Sequence, residues 1–236
     1  MNDLKTHLAP YWPGLQEEEM EALCHFSSLL EEANQHISLT AIRDPQESAV
    51  KHFWDSLAFH QALALQGGES VLDLGSGPGF PGMVLAIMNP GTSFTLVDSV
   101  GKKTAFLQET AKALGLKNVS VCQGRAEGLG QDPRYRGAFD VAVARSVAWL
   151  PTLSEYLLPF LRVQGLMAVS KEAPWEEEAS ASKSAIDLLG GAFLKAIPYE
   201  LPLYGNQRSF LFYRKVKETP EAYPRREGVP LKRPLS

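Results

Sequence analysis

Two cysteines, Cys24 and Cys122, are the only thiols in the 236-residue sequence. They form neither a metal-ligand spacing nor a disulfide framework, and both read as buried apolar filler in a reducing compartment. Long hydrophobic runs are also missing: no stretch approaches the roughly 18 apolar residues that span a bilayer. The start, Met1-Asn2-Asp3-Leu4-Lys5, has no basic segment followed by an apolar one, so no secretion signal is expected and the cytoplasm is the expected compartment. Excess positive charge is lacking too. A net charge of −4 argues against a protein that coats nucleic acid indiscriminately. The five histidines (His7, His25, His36, His52, His60) form no metal-ligand pairing, so no metal is expected.

What remains is enough for a packed domain: hydrophobic residues make up 44% of the chain and charged residues 21%. Residues 15–33 carry apolar side chains at helical spacing, and a second helix is expected over 48–65. Together they form an N-terminal helical cap over 1–66, closed by Gly67-Gly68. From residue 70 short strands alternate with helices of 10–15 residues, the rhythm of a mostly parallel sheet covered on both faces. Strand-like runs at 193–201 and 208–214 have no helix between them, so a hairpin should place one antiparallel strand in the sheet. The domain is expected to span 67–217. Residues 218–236, rich in Pro and Arg, read as a basic extended tail. From 213 onward seven Lys/Arg face three acids, an excess of four on an otherwise acidic chain.

The strongest local signal is Val71-Leu72-Asp73-Leu74-Gly75-Ser76-Gly77-Pro78-Gly79-Phe80-Pro81-Gly82. Glycines after a first strand permit a tight turn and close approach of a ligand, and the helix that follows offers free N–H groups to an anion. Gly77 to Gly82 also fits the dinucleotide pattern G-x-G-x-x-G, with Asp98 about twenty residues on. Asp73, two residues before Gly75, favours a methyl donor, S-adenosylmethionine, where it would order the loop or receive the cofactor's amino group. Asp98 can accept ribose hydroxyls in either class, or serve the next helix as a cap, a role open to Ser99 as well. In such folds the loop Gly124-Arg125-Ala126-Glu127 borders the adenine.

Several segments together resemble one family, the bacterial guanine-N7 methyltransferases of 16S ribosomal RNA, also called glucose-inhibited division protein B. They are Leu39-Thr40-x-x-Arg43-Asp44, His52-x-x-Asp55-Ser56, the Gly-Phe-Pro-Gly run at Gly79 to Gly82, Leu96-Val97-Asp98-Ser99, Arg125-Ala126-Glu127, Ala144-Arg145 and the Pro/Arg-rich end. The resemblance runs from about residue 36 to the end. It implies a Rossmann-like S-adenosylmethionine methyltransferase sheet with the helical cap. It also implies methyl transfer to guanine N7 in 16S ribosomal RNA or the small subunit, and a cofactor site at Gly75, Phe80, Asp98, Ser99, Val100, Ala126, Glu127 and Arg145. Asp73, Gly77 and Gly79 join this set from the loop chemistry. The sequence departs from the family at Lys171-Glu172, where Lys-Gly is usual.

Guanine N7 carries an exposed lone pair and needs no deprotonation, so no general base is expected. Arg145, at the end of the fourth strand, is the candidate for positioning cofactor or substrate; a salt bridge from strand to helix is the competing role. Lys102, Lys103, Arg125, Lys171, Arg208, Arg225, Arg226, Lys232 and Arg233 are candidates for RNA contact. Arg43 and His52 belong to the motifs without a derivable role. A monomer is expected. The competing functions are an NAD-dependent oxidoreductase, which should carry a catalytic Tyr-x-x-x-Lys, His or Cys group, and a non-catalytic RNA-binding or assembly factor, which should lose the loop glycines or Asp98.

Overall fold

Phe210 and Phe212 join one buried apolar cluster while Leu211 and Tyr213 join another, so a single strand feeds two cores. That period of two marks a sheet covered on both faces. The computed structural model describes residues 3–235. Its seven strands are β1 (Ser70–Leu74), β2 (Ser93–Asp98), β3 (Val119–Gln123), β4 (Phe139–Arg145), β5 (Leu161–Glu172), β6 (Gly191–Glu200) and β7 (Gln207–Lys215), in the order β3-β2-β1-β4-β5-β7-β6. β1 to β5 run parallel, and β7 is antiparallel to both neighbours. The closing hairpin thus slips β7 between β5 and β6, whereas the dinucleotide-binding order runs 3-2-1-4-5-6.

On one face lie α1 (Asp3–Leu8), α2 (Glu17–His36), α3 (Pro45–Ser48), a π-helical turn (Ala49–Trp54), α4 (Asp55–Leu63), α5 (Gly82–Met88) and α6 (Gly101–Ala113). On the other lie α7 (Ala126–Leu129), α8 (Leu150–Leu157), α9 (Glu176–Ala181), α10 (Lys183–Leu189) and α11 (Val229–Lys232). Local chemistry sets several ends. Glu19 accepts the N–H of Gln16 ahead of α2 (2.9 Å), and Asp44 accepts that of Glu47 ahead of α3 (2.7 Å). Gly190, at φ +89°, closes α10 in a left-handed turn. The expected second helix contains the π turn, and Ser182 separates α9 from α10. β5 opens with an irregularity: Phe139 pairs with Leu161 but Val141 with Leu166.

The cap is tied to the sheet by polar groups as well as by its apolar core. The carboxylate of Asp55, fully buried at the start of α4, accepts from Arg145 Nη1 of β4 (2.7 Å), Arg208 Nη1 of β7 (3.3 Å) and the Tyr199 hydroxyl of β6 (2.7 Å). Arg208 also pairs with Glu172 (2.6 Å). His52, on the π turn, stacks on Phe80 of the glycine loop at 4.5 Å and 12°. Its Nε2 lies 3.0 Å from Thr40 Oγ1 and its Nδ1 3.5 Å from Arg145 Nη2. A guanidinium can only donate, so Nδ1 accepts and the ring proton sits on Nε2, donated to Thr40. Burial, then the nearby Arg145 charge, push the His52 imidazole down to about 3.

The end of the chain corrects the expectation of an extended tail. Residues 218–235 fold back along α7 and α8. Arg225 grips the buried carboxylate of Glu155 with two nitrogens, Nε at 2.9 Å and Nη2 at 2.6 Å. Arg136 donates to the carbonyls of Thr219 and Tyr223, both at 2.7 Å, and Thr152 to that of Pro230 at 3.0 Å. Lys215, counted in the basic excess, is buried and donates to the carbonyls of Leu158 and Leu189 and to Thr219. Two of the seven cations are therefore internal fasteners.

Two outcomes follow for stability. Removing Asp55 leaves two buried guanidinium groups without their shared partner, so Asp55→Ala should cost about 3–5 kcal/mol in denaturant unfolding. Asp55→Asn keeps an acceptor but loses the charge, so it should cost nearly as much, and a loss under about 1 kcal/mol in Asp55→Asn would contradict the ion pair's role. Below its ordinary value of 6.5, His52 protonates in the unfolded chain but stays neutral in the folded one down to about 3. The unfolded state then binds more protons, so stability falls as pH falls through that window. His52→Gln should flatten this acid limb of unfolding free energy against pH; an unchanged slope would refute the assignment.

Candidate functional site

The C-terminal ends of β1, β2 and β3 open onto a cleft, the position at which open α/β sheets bind ligands. Its walls are Leu74 and Gly75 of β1 and the loop, Val97, Asp98 and Ser99 of β2, Gly124 to Glu127 after β3, and Val147 and Tyr156 from beyond β4. The loop is built on two strand-end carboxylates. Asp73 Oδ2 accepts the N–H of Gly82 at 2.9 Å, which ties the start of α5 to β1. Asp98 Oδ2 accepts from Gly77 N (3.0 Å) and Oδ1 from Val100 N (2.8 Å), which ties the loop to β2. Neither Asp98 nor Ser99 caps α6 with its side chain; Val100 holds that position.

Close approach is tightest at two of the loop glycines. Gly75 has φ +74°, and a Cβ there would lie 2.7 Å from a Val147 methyl. A side chain at Gly82 would strike Asp73 and Leu96. The upper surface of the loop is thus backbone facing the cleft, and its underside is packed against β1 and β2.

The expected cofactor residues divide. Gly75, Asp98, Ser99, Ala126 and Glu127 line the cleft together with Arg125. Asp73 is wholly buried beneath the loop, and its Oδ1 has no hydrogen-bond partner among the described residues. Burial, opposed by its hydrogen bonds, pushes its carboxyl up to about 6. Gly77 and Gly79 shape the loop without lining the cleft, and Val100 sits beside it, 37% exposed. The Phe80 ring is turned into the cap, against Phe26 (5.1 Å), Phe53 (5.1 Å) and His52. Arg145 is held by Asp55 and the Lys51 carbonyl (3.0 Å), with Phe80 beneath its guanidinium. This is the strand-to-helix salt bridge weighed in the sequence.

Among the candidates for RNA contact, Lys171 donates to Glu178 (2.6 Å) and the Ala148 carbonyl (2.8 Å), and Arg208 serves Asp55 and Glu172. Glu172 occupies the family's usual glycine position as part of an unbroken β5 and partners Arg208. Lys102, Arg125, Arg226, Lys232 and Arg233 are exposed, Lys103 is half-buried, and Arg125 pairs with Glu227. Val147 and Tyr156 were not foreseen as site residues. Tyr156 donates to Glu127 Oε1 (3.3 Å), an oxygen that also takes the Gly228 N–H (2.9 Å), so the C-terminal segment braces the cleft wall. Nothing local signals that contact, since the partners lie 29 and 101 positions from Glu127.

The donor set suits a zwitterionic nucleoside ligand. A backbone cradle without a Cβ lies at Gly75, an acceptor pair at Asp98, and an unsatisfied buried carboxylate oxygen under the loop. No group of three or more His, Cys, Asp or Glu among the described residues could hold a metal ion, and no described helix is long and apolar enough to cross a membrane.

Known proteins bear on the same region. Among solved structures, the cyclase SpnF superposes with a TM-score of 0.58 at 16% identity, over 84% of this chain and 96% of that one. A SAM dependent methyltransferase from Aquifex aeolicus gives 0.55 at 18% identity, over 80% and 98%. At these identities the likeness establishes the Rossmann-like methyltransferase fold alone. Sequence relatives are far nearer. The Ribosomal RNA small subunit methyltransferase G of Pelotomaculum thermopropionicum is 44% identical over 94% of this chain and 92% of its own length. Its namesake in Deinococcus radiodurans is 42% identical over 99% and 89%. The family model described as "GidB: rRNA small subunit methyltransferase G" matches residues 19–201, a span that holds the cap motifs, the glycine loop, Asp98, Glu127 and Arg145. The chain belongs to that family.

Proposed function

We propose that this protein transfers a methyl group from S-adenosylmethionine to N7 of a guanine in 16S ribosomal RNA, acting as a cytoplasmic monomer. The observation that carries this reading is the glycine-loop cleft, bounded by Asp98 and Glu127, in a chain of the rRNA small subunit methyltransferase G family. The strand β7 inserted in the sheet separates it from the dinucleotide-binding order, against the oxidoreductase alternative. The loop glycines and Asp98 are all in place, against a silent assembly factor.

When bound, S-adenosylmethionine supplies an electrophilic methyl group on a sulfonium sulfur. The chain's task is to hold it and to aim a base at it. The loop backbone at Gly75 leaves room for the methionine portion, Asp98 would take the ribose hydroxyls, and Ala126 and Glu127 would border the adenine. Guanine N7 attacks with its own lone pair, so no side chain has to remove a proton first. Positioning of the reacting atoms can by itself supply about 7–11 kcal/mol of the barrier. Arg145, fixed by Asp55 at the end of β4, would orient the cofactor or the guanine from an anchored position.

Labelled S-adenosylmethionine, offered with unmodified 16S rRNA and with small subunits, should yield one N7-methylated guanine on mapping. Calorimetry that finds tight NAD binding and none for S-adenosylmethionine would defeat the reading. Gly75→Val combines a strained positive φ with a clash against Val147, so a folded variant should lose detectable cofactor binding. Arg226, Lys232 and Arg233 keep exposed charges on the C-terminal segment. Changing these three to Ala should weaken RNA binding and lower the slope of log affinity against log salt by up to about 2, at one phosphate per residue. Cofactor affinity should stay unchanged, and an unaltered salt slope would remove these residues from the RNA surface.

A further inference from the structure

Between β4 and α8 the chain displays Trp149, 51% exposed. Single exposed apolar side chains are ordinary; what distinguishes this one is how it is held and where. The backbone on both sides is pinned by one desolvated ion pair. Lys171 Nζ donates to the carbonyl of Ala148 at 2.8 Å, Glu178 Oε1 accepts the N–H of Leu150 at 2.5 Å, and the two side chains bond each other at 2.6 Å. Trp149 itself holds the N-cap position of α8, its carbonyl accepting from Leu153 N at 2.8 Å. The indole is therefore carried on a fixed backbone and left in water.

Its position is set by the chain. Val147, two residues earlier, lines the cofactor cleft against Gly75. Two residues of backbone reach at most about 7 Å, so the Trp149 backbone lies within that distance of the cleft-lining Val147. The same loop contributes Ser146 to a polar pocket with Ser170 and Arg208. A rigid, flat, solvated aromatic surface beside a site that acts on a nucleobase matches one ligand chemistry: the face of an unstacked base. Bases inside a duplex have both faces covered and cannot use such a surface.

We propose that Trp149 is a stacking platform for an unpaired RNA base next to the target nucleotide, so that the substrate is engaged as a single strand at that point. This rests on the reading of the chain as an RNA methyltransferase. It also gives Lys171 and Glu178 a role other than RNA contact: they set the platform.

The test uses the full chain and a fluorescently labelled, guanine-containing single-stranded RNA oligonucleotide, with the same oligonucleotide in a duplex as the second probe. Stacking contributes about 1–3 kcal/mol per base, so Trp149→Ala should weaken single-strand binding by about 5- to 150-fold. Trp149→Phe should retain most of the affinity, and duplex binding should change little in either. The KM for rRNA should rise in Trp149→Ala more than kcat falls, and S-adenosylhomocysteine affinity should hold. Trp149→Gln provides a second non-aromatic variant should the alanine protein fold poorly. Unchanged single-strand affinity in either non-aromatic variant, or a wild type that prefers the duplex, overturns the proposal. The two readings separate cleanly. A wild type that methylates rRNA while Trp149→Ala behaves identically defeats the platform alone. A wild type that binds single strands through Trp149 but transfers no methyl group defeats the function alone.

Discussion

One buried carboxylate holds the cap, the sheet and the closing hairpin in register. Asp55 accepts from Arg145 on β4, Arg208 on β7 and Tyr199 on β6, three elements brought together by topology alone. With Glu172 on Arg208, the cluster holds two carboxylates and two guanidinium groups, so its formal charge closes at zero. That balance matters because an uncompensated charge in this volume would cost several kcal/mol. His52 fits the same constraint. A third cation beside Arg145 would break the balance, and the imidazole stays neutral.

Through this cluster the glycine loop is supported from below. Phe80 leaves the cleft and enters the cap, where His52 stacks on it and Arg145 lies over its ring. Asp73 and Asp98 hold the loop's backbone to β1 and β2. The opposite wall is held by the returning chain end, where Arg225 on Glu155 and Gly228 on Glu127 fix residues 218–235 against α7 and α8. Cleft geometry is thus set from two sides, by the Asp55 cluster and by the Arg225–Glu155 pair, none of whose residues lines the cleft. A change at Asp55 or Glu155 would reach the cleft through backbone position rather than through lost contacts with the cofactor.

The sheet and loop were legible because their signals are local. The closing hairpin, expected at 193–201 and 208–214, is found at Gly191–Glu200 and Gln207–Lys215, and glycine spacing after β1 marks the turn. The fasteners were not legible because their partners are far apart in sequence: 90 positions separate Asp55 from Arg145, and 70 separate Glu155 from Arg225. His52 and Asp55 could be seen as a motif, yet nothing in the motif says that one stacks on Phe80 and the other gathers two arginines. Charge counting at the chain end failed for the same reason. Lys215 and Arg225 add to the sum as freely as Arg226 does, although the first is buried among carbonyls and the second is locked to Glu155.

A shared sheet decides little of the chemistry, because one fold hosts many unrelated activities. What is particular to this chain lies where the sheet ends. The cap supplies His52 and Asp55, the β4–α8 loop supplies Val147 and Trp149, and the chain end supplies the brace on Glu127. In the proposed function the cofactor would call on the loop, Asp98 and the Ala126–Glu127 wall, all within the cleft. A large, anionic, conformationally varied substrate needs rigid features around the mouth, because each contact that must first be ordered subtracts from affinity. The buried ion pairs Asp55–Arg145, Lys171–Glu178 and Arg225–Glu155 each fix one of those surrounding segments. None of these six residues lines the cleft itself, so the pairs hold its surroundings and leave its walls free.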